Sequence, residues 1–266
     1  MKKLEHITII IPLRIDSEKR RTNLDAVLDY LCKYRIKIML LEADAKPQYK
    51  LQAEHSDVMC RFVEDYDTVF YRTHYLNCML HEVRTPVAGI WDSDGIVPIE
   101  QIIEATRLFI ADATLCYPFD GRFFAVSDRF SRLYKETGNF DILSQNESMH
   151  WLMHGMYSVG RRFCCKRKKI LVGRGGENEH FYRLGPEDTE RRERIAKLGL
   201  KVNWVQGCLY HLFHPRGMNS NFAYRERELS NRREYLKICR MNRQELEEYI
   251  STWPCTNKKS TPYATD

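Results

Sequence analysis

Apolar and polar positions follow two alternating rhythms through the first half of the chain. Ile7 to Pro12 and Val87 to Trp91 are short apolar runs of the kind found in buried strands, Ile36 to Leu41 and Thr114 to Tyr117 read as further strands, and Val58 to Val63 is a third short apolar piece between them. Between them the apolar period lengthens. Leu24, Val27, Leu28 and Leu31 recur at helical spacing, with Asp16 or Ser17 placed to cap the start. Leu76, Met79, Leu80 and Val83 mark a second helix. Pro98 opens a third, with Ile99, Ile102, Ile103, Thr106 and Phe109 inward. Strands alternating with helices predict an α/β fold: a mostly parallel central sheet with helices on both faces.

The second half is less regular. Phe124 to Tyr134 reads as helical, and Gly138 to Gly160 as loop and short elements. Phe163-Cys164-Cys165 reads as a strand, and Gly175-Gly176 as a turn. A helix from Glu187 to Leu198 is stopped by Gly199. Val202 to Val205 is a strand leading to Tyr210-His211-Leu212-Phe213-His214-Pro215. Beyond Tyr224 the chain is highly charged, and Leu229, Tyr235, Leu236, Ile238, Leu246 and Ile250 predict one or two outer helices with a frayed tail after Trp253. The expected organisation is a domain over 1–222, with a nucleotide-binding half of about 1–120 and an acceptor half of about 121–222. A charged helical extension and tail follow over 223–266.

Composition narrows the class. A 266-residue chain that is 43% hydrophobic can bury a substantial core. Its net charge of +6 suits an anionic ligand but is no nucleic-acid signature, and no nucleic-acid partner is expected. Nine scattered cysteines without a Cys-x-x-Cys pair predict a reducing compartment and no disulfide frame. The apolar N-terminal run is too short for a signal peptide, and no stretch is long enough to cross a membrane. The expected location is cytoplasmic. Lys166 to Lys169 and the basic C-terminal helices suit either a solvated face or peripheral contact with the anionic inner face of a membrane.

The candidate chemistry centres on Trp91-Asp92-Ser93-Asp94-Gly95. Two carboxylates in a turn at the end of a buried strand lie where open α/β sheets bind ligands, and they can hold a hard divalent cation against a nucleoside diphosphate. Other polar features fall at expected strand ends: the basic loop Arg14 to Arg21, then Glu42 and Asp44, then Arg72. Carboxylates there can accept from a base or ribose, and arginines can grip diphosphate oxygens. Gly185-Pro186-Glu187-Asp188 joins a helix-capping pattern to a candidate general base. His211 and His214, three residues apart, suit either metal ligation or a hydrogen-bonded core role.

Taken together, Ile9-Ile10-Ile11-Pro12-Leu13-Arg14, Glu42-Ala43-Asp44, Trp91-Asp92-Ser93-Asp94 and the long stretch from Gly175-Gly176-Glu177-Asn178-Glu179 to Gly185-Pro186-Glu187-Asp188 resemble a GT-A glycosyltransferase. The likeness is to bacterial family 2 enzymes and to the C-terminal region of β-1,4-galactosyltransferases and chondroitin-polymerase-like transferases, and it covers roughly Ile7 to Pro215.

The resemblance implies an inverting hexosyltransferase, galactosyltransferase-like, working in surface polysaccharide synthesis. It would use a UDP-sugar and Mn²⁺ or Mg²⁺, and transfer to a hydroxyl of a glycan or lipid-linked acceptor. It further implies that Pro12, Arg14, Glu42, Asp44, Arg72, Asn77, Asp92 and Ser93 line the nucleotide-sugar site. Asp94, with Asp92 near metal or ribose, and His211 would bind the metal, with His214 the alternative to His211. Asp188, beside Glu187, would be the base. The sequence departs from the family at Arg183-Leu184, where Gly-Trp is usual, and at Arg161 and Arg162, where small residues are common. Two other readings stand beside this one: a nucleotidyltransferase, which has no need of the Gly-Pro-Glu-Asp segment, and a non-catalytic nucleotide- or glycan-binding module on the same scaffold.

Overall fold

The computed structural model describes residues 4–160, 162–166, 170, 174–182, 185–215 and 225–255. Arg161, the basic run from Arg167 to Lys169, Arg183, Leu184 and the tail from 256 lie outside them.

The strands β1 (Ile7–Leu13), β2 (Lys37–Asp44), β3 (Met59–Glu64) and β4 (Val87–Ile90) pair in parallel, in the spatial order β4-β1-β2-β3. Every residue of β1 is buried, so the strand is covered on both faces, which is why its sequence is a continuous aliphatic run. The intervening helices are α1 (Glu18–Cys32), capped by the Ser17 side chain, α2 (Arg72–Glu82) and α3 (Ile99–Ile110). Each begins shortly after a strand end, so their first turns gather at the carboxyl edge of the sheet.

The sheet continues through strands whose order the sequence does not announce. β9 (Phe163–Lys166) inserts antiparallel between β4 and β6 (Leu115–Tyr117), and β10 (Val202–Trp204) closes the edge parallel to β6, giving β10-β6-β9-β4-β1-β2-β3. A second sheet has four short strands, β5 (Gly95–Ile96), β11 (Leu209–His211), β7 (Phe123–Ala125) and β8 (Trp151–His154), in the order β5-β11-β7-β8.

Two expectations need correction. Phe124 to Tyr134 is not one helix. Phe123–Ala125 is strand, and α4 (Asp128–Thr137) starts only where Ser127 accepts from the Phe130 amide. It ends at Gly138, in the left-handed region at φ 62°. The segment after it carries α5 (Asp141–Ser144) before β8. In the C-terminal region, Leu229 and Leu236 face solvent at 45% and 49% exposure. Docking is instead carried by Ile238 on α7 (Arg225–Arg240) and by Leu246 and Ile250 on α8 (Arg243–Ser251). With Leu198 and Trp253 these form a small second core beside α6 (Glu187–Lys197). No helix of the described residues is long and apolar enough to cross a membrane, and all nine cysteines are free thiols.

Candidate active site

Three register relationships build the site. The turn after β4 is drawn tight by Trp91, whose indole donates to the Gly95 carbonyl at 2.9 Å, and this presents Asp92, Ser93 and Asp94 at the sheet edge. In the second sheet His211 lies opposite Gly95, and the Leu212 amide donates to the Asp94 carbonyl at 2.8 Å. The pairing of Phe163 with Ile90 brings Arg162, the residue before β9, level with the end of β4 and over the same turn. Asn23 on α1 donates to the Phe213 carbonyl, and the Ser131 hydroxyl on α4 accepts from the Phe213 amide at 2.8 Å, so the segment between the two histidines is fixed.

The result is one charged cluster. Asp94 is 4% exposed. His211 Nε2 lies 3.4 Å from one of its carboxylate oxygens, and His214 Nε2 lies 3.1 Å from the other. Burial pushes the Asp94 carboxyl up, but the His211 charge, hydrogen bonds from both histidines and the Arg162 charge outweigh it and hold the group well below the ordinary carboxylate range. Arg162, itself buried, ion-pairs with Asp94 and lies 3.8 Å from Asp92. Arg20, paired to Asp16 at 2.8 Å, approaches Asp94 at 3.7 Å, and Arg72 at the start of α2 pairs with Asp92 at 3.0 Å. The structure thus brings Arg72, Asp92, Asp94 and His211 together and adds His214, which the sequence left as the alternative.

The donor set fits a divalent ion. One atom each from Asp94, His211 and His214 lie within 4.8 Å of one another, and a carboxylate with two imidazoles is a mixed oxygen–nitrogen set of the kind that takes first-row divalent metals. Asp92 stands beside this group, not in it.

Other expected site residues are engaged differently. Arg14 donates to the Ala43 and Asp67 carbonyls and to Asp65, each at 2.7 Å, and so ties the ends of β2 and β3 together. Pro12 sits within β1, in register with Leu41. Glu42 is 2% exposed and accepts from the Gln48 and Tyr49 amides. Burial raises its pKa, and its observed work is to hold the loop after β2. Asp44 accepts from the Ala45 amide, and Ser93 is buried in the turn. Asn77 clamps a loop. It accepts from the Glu177 amide at 2.7 Å and donates to the Glu177 carbonyl and the Glu179 carboxylate. That loop passes so close that a side chain on Gly176, at φ 59°, would meet Asn77 Oδ1 at 2.4 Å.

Glu187 and Asp188 open α6, where negative charge suits the helix dipole. Glu187 is buried and accepts from the Gly185 amide, while Asp188 is part-exposed and pairs with Arg191 at 2.9 Å. Arg191 in turn grips Glu177, with Nε at 2.7 Å, and both are 1% exposed. This Glu177–Arg191–Asp188 chain went unread in the sequence. The signal for it was acid and base three residues apart at the head of α6, with the partner Glu177 in a Gly-Gly-Glu loop.

No protein-family model matches the chain, and no curated protein matches it. Solved structures do. TarS 1-349 of S. aureus is 9% identical with a TM-score of 0.50, and the alignment covers 77% of this chain and 60% of that one. This is a GT-A-like fold. Glucosyl-3-phosphoglycerate synthase of Mycobacterium tuberculosis, crystallised with Mn²⁺, UDP and glucosyl-3-phosphoglycerate, is 13% identical with a TM-score of 0.48, covering 80% of this chain and 74% of that one. CMP:2-keto-3-deoxy-manno-octonic acid synthetase with CTP is 10% identical with a TM-score of 0.45, covering 77% and 90%.

Proposed function

We propose that the protein is a metal-dependent inverting glycosyltransferase that moves a sugar from a UDP-sugar to an acceptor hydroxyl. The observation that carries this reading is the convergence of Asp94, His211 and His214 at the end of β4, beside Arg72 and Asp92, in a GT-A-like fold. Asp94, His211 and His214 would hold the divalent ion, Mn²⁺ or Mg²⁺. When bound, such an ion offsets the charge of the departing diphosphate.

The chain's own residues do the rest. Arg72, oriented by Asp92, directs its guanidinium at the diphosphate. Asp188, oriented by Arg191, accepts the proton of the acceptor hydroxyl. The acceptor oxygen bonds to the anomeric carbon as the bond from that carbon to the phosphate oxygen breaks, and the electron pair leaves with UDP. A galactosyl donor, a glycan or lipid-linked acceptor and a place in surface polysaccharide synthesis are the finer form of the proposal. They rest on the motif likeness from Gly175 to Asp188.

The test is UDP release from a panel of UDP-sugars with Mn²⁺, alongside equilibrium UDP binding. Asp188→Asn should slow turnover by about 10²–10⁴-fold and leave metal-dependent UDP binding in place. Absence of metal-dependent UDP binding in the unaltered protein would sink the reading. Pyrophosphate release from a nucleoside triphosphate, insensitive to Asp188→Asn, would replace it with nucleotidyl transfer.

A further inference from the structure

Three guanidinium groups, of Arg20, Arg72 and Arg162, face the two carboxylates of Asp92 and Asp94. Arg162 is the deepest of them. Its side chain is 1% exposed, its Nη2 pairs with Asp94, and its Nε has no hydrogen-bond partner among the described residues. Room for it comes from Gly95. A Cβ there would lie 1.7 Å from Arg162 Nε and 2.0 Å from the guanidinium carbon. The guanidinium therefore occupies space that any other residue at 95 would deny it, on the same carboxylate that the two histidines share.

We propose that Arg162 is the cation Asp94 holds before nucleotide arrives, so that a divalent ion and a nucleoside diphosphate enter this site together and not ion first. The inference rests on the metal–nucleotide reading given above and adds an order and a cause. A buried positive charge beside Asp94 opposes a dication, because screening there is weak. A diphosphate reverses the balance. Its oxygens would supply ligands to the ion and accept from guanidinium donors, and its negative charge would offset that of the incoming dication beside Arg162. Affinities for ion and nucleotide are then positively coupled, and by linkage each raises the other equally.

Calorimetric or Mn²⁺ spin-resonance titration measures this without turnover. For the unaltered protein, saturating UDP should tighten Mn²⁺ binding by roughly 5–150-fold, the usual range of such coupling. Arg162→Gln should bind Mn²⁺ alone about tenfold tighter, and the coupling to UDP should shrink by a similar factor. Gly95→Ala, which keeps the charge in the chain but evicts the guanidinium from Asp94, should shift binding in the same direction. Arg162→Lys, which keeps a charge in place, should stay near the unaltered protein. If Arg162→Gln binds Mn²⁺ alone equally well or more weakly, Arg162 supports the metal site and the proposal is overturned, with the metal–nucleotide reading intact. If the unaltered protein binds no Mn²⁺ even with UDP, that reading fails first and takes this one with it.

Discussion

Two buried charged clusters stand in this molecule, and they are built on opposite rules. Under α6, Glu177 meets Arg191 and Glu190 meets Arg194, all at 1% exposure or less. The leftover donors find carbonyls and rings. Arg194 reaches the Arg174 and Gly176 carbonyls and lies 5.0 Å from the Trp253 ring centre, and Arg191 lies 4.0 Å from that of Phe163. Donors and acceptors match among these buried pairs, so they keep little capacity for anything else; Asp188, part-exposed and paired with Arg191 at 2.9 Å, lies at their edge. Around Asp94 most contacts are longer, one carboxylate is shared by Arg20, Arg162 and two histidines, and Arg162 Nε is left without a hydrogen-bond partner among the described residues. A closed network fixes shape, whereas an open one has capacity left for a ligand. The same residue types give scaffold in one place and site in the other, and the difference lies in how completely their valences are met.

The largest loss is expected at Arg191. Arg191→Ala leaves Glu177 buried and alone, and should cost about 3–5 kcal/mol in chemical denaturation. Replacing the pair together, as Glu177→Gln with Arg191→Met, should recover much of that loss, because the penalty is the uncompensated charge and not the missing attraction. A loss under about 1 kcal/mol for Arg191→Ala would show that the buried pairs under α6 are not what holds this part of the fold. The matching change in the open cluster is His214→Gln. It should weaken Mn²⁺ binding in the presence of UDP by roughly 10–100-fold or more while leaving the metal-free unfolding midpoint near that of the unaltered protein. The reverse pattern, stability lost and metal affinity kept, would make His214 a core residue.

β1, β2 and β4 were legible because burial on both faces writes itself as unbroken apolar runs, as in Ile7–Leu13, whereas the edge strand β3 is mostly exposed. The Asp-x-Asp turn was legible for the same reason: it follows such a run. The antiparallel insertion of Phe163–Lys166 was legible as a strand but not in its place, since four residues carry no record of their neighbours. That insertion is what delivers Arg162 to Asp94, so the most consequential contact of the site was hidden behind a topological fact. His214 was visible as a candidate, but only the pairing of His211 with Gly95 shows that both rings turn toward one carboxylate. Arg14 and Glu42 were noticed for their charge at strand ends, and Asn77 through the family resemblance. Their partners are backbone groups and neighbouring acids, which a linear pattern does not reveal.

The least loss is expected at the edge of the closed network. His74 on α2 meets Cys78 Sγ at 3.7 Å and the Glu179 carboxylate at 3.0 Å, on the loop that Asn77 clamps. The Cys78 and Glu179 hydrogen bonds, against the opposing effect of burial, raise its pKa from the ordinary 6.5 to about 10. The folded state therefore binds this proton more tightly than the unfolded chain. Its contribution to stability is fully present below about pH 6.5 and is lost as pH rises toward 10. The unaltered protein should lose stability over that window relative to His74→Gln, whose denaturation midpoint lacks this component. With His74 a quarter exposed, solvent screening keeps the difference modest. Equal slopes for the two proteins would mean that the His74–Glu179 pair adds nothing to the closed network, whose stability would then rest on the buried pairs under α6.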